Sequence, residues 1–406
     1  MRVSHLSLLG SLLAVTSCGD QSNTTGNHAH PPSPPAAQGT FISAGAATAC
    51  TISESAAAYC WGLNQDGEDG TGVHAGGISG SFDSAPVAVP SSAHFQSVSN
   101  SRSDFISVVN DARGFTCGVA SDGTGYCWGE GGPAMGRGPG RYEYSAGLPD
   151  PMTLPPAPAS VVGGLTFSSI AAGYWMACGL DISGTAYCWG EEPFIGDGVT
   201  PPSDSVIAQA APVAVAGGHH FQQLVAGQTH ACGLVSDGTV YCWGENASGE
   251  VGDGTTAFRN APVQVATSQR FTSLSAGGES TCALTNTGVA YCWGTLTGTT
   301  PGLVPGGLSF TGVFVGDGTA CGLTSAGVAY CWGSAFWQSG APHAVTTPVA
   351  TPSLPGVAFQ SLAGGSNFFC GVSTAHKLYC WGTNALGQLG TAARVSFDTL
   401  VAVTPY

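Results

Sequence analysis

The tetrapeptide Tyr-Cys-Trp-Gly occurs seven times, at residues 59–62, 126–129, 187–190, 241–244, 291–294, 330–333 and 379–382. Self-similarity recurring every few tens of residues marks a solenoid or a propeller, and it outranks any local reading of the motif. Successive copies lie 39 to 67 residues apart, so the units share a core and differ in their loops. Residues 39–406 leave about 53 residues per copy. That is too long for a solenoid turn of ~20–30 residues and suits a four-stranded blade. The expected fold is all-β: a seven-bladed propeller with four antiparallel strands in each blade.

The fourth copy shows the parts. Strand A reads FQQLVAG (Phe221 to Gly227), strand B HACGLV (His230 to Val235), strand C TVYCWG, and strand D APVQV (Ala261 to Val265). Alternation in strand C sends Tyr241 and Trp243 to one side and Val240 and Cys242 to the other. Both sides are apolar, as expected for a blade held between two others. The final TLVAVTPY matches strand D. An offset between blade and sequence repeat would let it pair near Phe41 and close the ring, which would remove an exposed sheet edge. In the irregular second copy, strand A is expected to start at Phe105, with the segment from Phe95 as an insertion.

Fourteen of the fifteen cysteines form seven pairs ten positions apart. The pairs are Cys50 with Cys60, Cys117 with Cys127, Cys178 with Cys188, Cys232 with Cys242, Cys282 with Cys292, Cys321 with Cys331, and Cys370 with Cys380. A three-residue turn such as Ser236-Asp237-Gly238 places the partners opposite one another on neighbouring strands, within disulfide reach. One disulfide per blade is therefore expected. A lone pair without C-x-x-C or clustered histidines is a poor zinc site. Glycine supplies the third turn position in five copies. Ala56 and His376 stand there in the first and last, so those two hairpins are expected to turn differently. Seven disulfides imply maturation outside the reducing cytosol.

The N-terminus, MRVSHLSLLGSLLAVTSC, has a basic residue, an apolar run and small residues before the fifteenth cysteine. Residues 1–17 read as a secretory signal whose ending resembles that of bacterial lipoproteins, with Cys18 the lipidated residue. Residues 18–38 are a polar, Pro-rich tether, extended rather than packed. The expected location is the bacterial cell envelope, at the outer membrane or cell surface, with membrane contact only through the lipid on Cys18.

The run GGSNFFCGVSTAHKLYCWGTNALGQLG (Gly364 to Gly390) resembles the repeat of the regulator of chromosome condensation family, marked by WG-x-N-x-x-G-Q-L-G after the third strand. WGENASGEVG and WGLNQDGEDG match it less completely. The resemblance extends over all seven copies and implies the propeller fold. Family members include a nuclear exchange factor for a small GTPase and a secreted bacterial inhibitor of β-lactamases. Their common property is a face that binds another protein. A nuclear exchange role does not fit a signal sequence and seven disulfides, and fold does not transfer activity.

No GxSxG elbow, HExxH pair or phosphate-binding loop occurs, and neither an enzymatic activity nor a cofactor is expected. NQDGEDG offers the oxygen ligands Asn64, Asp66, Glu68 and Asp69, but at the glycine-rich turn of its repeat and without the regular calcium ladder. No metal site is expected. After loss of Arg2 the chain carries 24 acidic and 8 basic groups, a net −16. That charge repels nucleic acid.

Strands alternate in direction, so the A–B and C–D loops share one face and the B–C turns and D–A links the other. The first set carries Tyr174, Trp175, Phe368 and Phe369 in A–B loops, and Tyr142, Tyr144, Phe194, Phe336 and Trp337 in C–D loops, among many carboxylates. Exposed aromatics cost solubility, and interfaces concentrate Trp and Tyr. The expected function is a monomeric protein-binding module presenting this face to a partner with basic character. A glycan-binding or structural envelope role is the alternative.

Overall fold

The computed structural model describes residues 39–405, except 73–81, 102–113, 131, 139–140, 146–156, 201–204, 335–343 and 352–353. Strands A lie at Phe41–Ala44, Phe95–Asn100, Phe167–Ala172, Phe221–Ala226, Phe271–Gly277, Gly312–Val315 and Phe359–Gly364. Each opens a sheet ordered A-B-C-D, antiparallel throughout, giving seven blades. Each strand A packs on its counterpart in the next blade, the last on the first, so strands A line the axis.

The blade is the sequence repeat, without an offset. The last strand, Phe397–Ala402, pairs with strand C of its own blade, Tyr379 opposite Ala402, and not with residues near Phe41. The ring closes by side-chain packing and loop contacts. Ile42, Ala44, Ala49 and Trp61 of blade one share one core with Phe368, Cys370, Leu378 and Leu389 of blade seven.

Alternation in strand C explains every blade interface. Between blades three and four, Met176, Cys178 and Cys188 meet Phe221, Leu224 and Trp243. The cysteine side of one blade thus packs on the Phe/Trp side of the next. All seven motif tryptophans are at most 2% exposed. Fully burying a large apolar side chain is worth about 1.5–3 kcal/mol, and this contact repeats around the ring.

The seven disulfides form as the spacing predicts. In blades one to four Cys50 is bridged to Cys60, Cys117 to Cys127, Cys178 to Cys188 and Cys232 to Cys242. In blades five to seven Cys282 is bridged to Cys292, Cys321 to Cys331 and Cys370 to Cys380. Each bridge joins residues directly opposite on strands B and C, as the register of Cys232 against Cys242 shows. Every bridged cysteine is fully buried. The turn expectation fails in its exceptions. Ala56 and His376 adopt φ of 64° and 58°, in the same left-handed region as Gly238 at 84°. They make the same turn hydrogen bond: Ala56 N to Ser53 O, His376 N to Ser373 O, Gly238 N to Val235 O. The hairpin imposes that conformation on whatever residue stands there.

In blade two, strand A is Phe95–Asn100, so the insertion follows it instead of preceding it. Phe95 packs 5.6 Å from Trp128, the place Phe271 takes against Trp293 at 6.2 Å. Phe105 lies outside the described residues. Blade two also lends a strand outward. Arg141–Ser145, from its long C–D segment, pairs with Ser205–Ala214 of blade three as a fifth strand. Its own strand D is only Ala159–Ser160.

Candidate interaction face

The A–B loops meet around the axis. Ala46 N donates to Ser101 O at 3.3 Å, Tyr174 N to Gln228 O at 2.6 Å, Gln228 N to Gly278 O at 2.9 Å, and Asp317 N to Gly365 O at 3.3 Å. Ser366 N donates to Ala46 O at 3.0 Å and carries the chain of bonds across the closure. These main-chain bonds give the face a fixed inner rim.

The residue after each YCWG sits beside that rim, because its N–H bonds to the A–B loop of its own blade. Glu130 N donates to Gly114 O, Glu191 N to Trp175 O, Glu245 N to Thr229 O and Thr295 N to Glu279 O. Register therefore places Glu130, Glu191 and Glu245 in neighbouring blades two to four. Glu279 and Asp317, exposed in the A–B loops of blades five and six, continue the arc. At the matching C–D position Leu63, Thr295, Ser334 and Thr383 are uncharged. At these rim positions the carboxylates fall in blades two to six, while blade one holds Asp66, Glu68 and Asp69 further along its C–D loop. Burial first, then the charges of Glu279 and Glu245, raise the Glu250 carboxyl above its usual range, so these three carboxylates feel one another.

The aromatic expectation is corrected. Phe368 and Phe369 belong to strand B, Phe368–Ser373, and both are 0% exposed. Phe369 stacks on Trp381 at 5.6 Å. Tyr174 is buried at 8% and meets the ring of Trp175 at 4.2 Å. Phe194 turns inward onto the core of blades three and four and faces Phe258 at 6.1 Å. Trp175 remains half-buried at the surface. Tyr142 and Tyr144 lie in the strand that joins blade three; their side chains, with Phe336, Trp337 and Cys18, lie outside the described residues. Loop parity finds which end a residue is on, but not how deeply it folds back.

The oxygen-rich turn of blade one is a structural element of the repeat. Glu68 Oε2 accepts from Asp66 N at 2.8 Å, as Glu250 Oε2 accepts from Ser248 N and Gln388 Oε1 from Leu386 N, both at 2.9 Å. Asn64, Asn246 and Asn384 each accept from the main chain five residues on. Among the described residues no group of three or more His, Cys, Asp or Glu is arranged to hold a metal ion. The same loops latch the next blade. Trp128 Nε1 donates to Glu68 O at 2.9 Å, and Trp61 Nε1 to Gln388 O at 2.9 Å. Glu68 is buried in the seam between blades, and burial, then the neighbouring Asp66, push its carboxyl well above the usual range. Burial also raises Asp69 to about 6, with Asp83 adding to it.

A profile of the regulator of chromosome condensation (RCC1) repeat matches residues 237–284, and a second profile of the same description matches 221–250 and 359–388. These segments cross the B–C hairpin and the glycine-rich C–D turn that recur in the blades. The chain is an RCC1-repeat propeller. Human WBSCR16 has the same fold, with a TM-score of 0.69, 16% identity, and coverage of 85% of this chain and 93% of that one. Prp20 of yeast, in a structure with Kap60 bound, superposes at 0.65 with 18% identity over 97% and 90% of the two chains. The human E3 ubiquitin-protein ligase HERC2 is 30% identical over 141 residues, 34% of this RCC1-repeat chain. The chain spans only 3% of that relative's length. Among the described residues no helix is long and apolar enough to cross a membrane. Seven buried disulfides are consistent with maturation in an oxidising compartment.

Proposed function

We propose that this RCC1-repeat propeller is an exported protein-binding module, held in a bacterial envelope by lipid on Cys18 and a tether over residues 18–38. It engages its partner through the A–B and C–D loop face. The observation that carries the reading is the arc Glu130, Glu191, Glu245, Glu279 and Asp317 on a hydrogen-bonded rim, with Trp175 beside it. A fixed acidic patch with one large aromatic ring suits a partner bearing Lys or Arg, because opposed charge steers encounter and a desolvated ring anchors it. Propellers of this fold hold proteins elsewhere: Prp20p of Saccharomyces cerevisiae binds Gsp1p and histones. A binding role fits a sequence without a GxSxG elbow, HExxH pair or phosphate-binding loop.

The test is a paired capture from native envelope extract with residues 19–406 as bait. The second bait carries Trp175→Ala, Glu245→Gln, Glu279→Gln and Asp317→Asn, with its melting temperature matched to the first. A protein retained by the first and lost by the second supports the face, and its release should steepen with salt. Equal recovery by both baits would remove this face from the account.

A further inference from the structure

The opposite face, of B–C turns and D–A links, carries a departure from the repeat at blade five. Two residues before the first Phe, five of the seven repeats place a side chain beside the motif tyrosine of the same blade; blade one has Gly39 there. Leu165, Leu308 and Val357 join the apolar clusters that hold Tyr187, Tyr330 and Tyr379. Ala93 joins that of Tyr126. In blade four His219 covers Tyr241, ring centroids 3.9 Å apart. In blade five the residue is Gln269, and there a cleft of about 350 Å³ opens against Tyr291. Its wall is mostly polar, with Gln269, Arg270, Thr285, Asn286 and Thr287, and Val289 adds an apolar patch.

The far side of Tyr291 is also unusual. Its partner across the ladder is Leu303, 58% exposed. Small residues, or Gln264, stand opposite the other motif tyrosines: Ala88, Ser160, Ala214, Ala350 and Ala402. An aromatic ring thus has an uncovered polar cleft on one side and an exposed apolar neighbour on the other. Arg270 is held near Asp237 of the adjoining turn. The hydrogen bonds from Thr239, then that guanidinium, keep the Asp237 carboxyl below its usual range.

We infer that this cleft is a binding site for a single pyranose sugar, free or terminal on a glycan. A ligand there needs an apolar face for Tyr291 and Val289 and a rim of hydroxyls for amide, hydroxyl and guanidinium partners. Gln269 and Asn286 donate and accept, Thr285 and Thr287 do both through hydroxyls, and Arg270 only donates. A sugar ring presents that combination: C–H groups on one face and hydroxyls at its edge. The volume is at the small end of ligand pockets, which run from ~300 to 1,000 Å³. The site lies at the other end of the ring from the acidic rim and does not rest on the proposed protein-binding role.

Ligand-observed saturation-transfer NMR on residues 19–406 tests it, with the methyl glycosides of glucose, galactose, mannose and N-acetylglucosamine as probes. The expected result is saturation of at least one, with a Kd on the order of 1 mM for so shallow a site. Gln269→Leu, which copies Leu165 and Leu308, should fill the cleft and cut the signal at least about tenfold without lowering the melting temperature. Arg270→Ala, at an exposed position, should weaken binding several-fold. No saturation of any glycoside would overturn the proposal, and so would a signal that survives both substitutions.

Discussion

The indole N–H of Trp61 in the first blade donates to the main-chain carbonyl of Gln388 in the last, 2.9 Å away and 327 positions along the chain. Ala392 N meets Ser84 O at 2.7 Å beside it, and the Arg394 guanidinium lies 4.5 Å over the Phe82 ring. The loop that joins successive blades elsewhere also joins the two ends, so the closure is made of the same parts as every latched interface.

Trp61→Phe should therefore cost about 1–2 kcal/mol, because it leaves the buried Gln388 carbonyl without its donor. Trp381→Phe is the control. The Trp381 Nε1 has no hydrogen-bond partner among the described residues, so its removal strands no described acceptor. Thermal melts with the disulfides intact should show the first variant falling by a few degrees more than the second.

Ala56→Gly and His376→Gly should each stabilise the protein by about 1 kcal/mol. Both positions hold positive φ, where a side chain is strained and glycine is not. Gly288→Ala at the same turn position, φ 78°, should move the melt the other way. Differential scanning calorimetry on the three variants checks the opposed signs.

Removing one clasp by Cys232→Ala with Cys242→Ala should lower stability by about 2–3 kcal/mol, the chain-entropy worth of a short closed loop. Since the bridged cysteines are 0% exposed, the native protein should resist mild reductant until it unfolds. Thiol labelling against denaturant concentration would show free thiols appearing together with the unfolding transition.

The pH dependence follows from Glu68 and Asp69, whose carboxyls are raised in the folded state, Asp69 to about 6. The folded chain keeps protons that the unfolded chain releases above about pH 4. Their contribution is fully present below that pH and is lost as pH rises through the folded values. Asp122, Asp181, Asp237 and Asp253 are lowered and act oppositely, losing their contribution below about pH 4. Glu250, raised by burial, acts with Glu68 and Asp69, while His219, lowered by burial, opposes them below about pH 6.5. With three raised carboxyls against one histidine, the melting temperature should fall from pH 5 to pH 8. Glu68→Gln, which installs the residue blade seven uses at Gln388, should flatten that fall and raise the melt at pH 8.

The fold was legible because its signals are local. Cys232 and Cys242 are ten residues apart with a turn between them, and strand parity follows from YCWG alone. What escaped the sequence depends on depth or on distant partners. Phe368 and Phe369 follow a loop glycine as Trp175 does, yet they begin strand B and fill the closing core between blades seven and one. Phe95 and Phe105 both open plausible strands, and only packing on Trp128 selects the first. The fifth strand of blade three comes from residues 60 to 68 positions before its partners. On the candidate face the carboxylates were visible, but their arrangement as an arc needed the register of strand C against the A–B loops.

Site-specific photo-crosslinking tests the central claim most directly. Benzoylphenylalanine would replace Glu245 on the acidic rim or Asp122, exposed on the opposite face, in the full-length protein within intact cells. The account predicts a protein adduct from position 245 that is absent from position 122. An adduct from position 122 alone, or none from position 245, would contradict it.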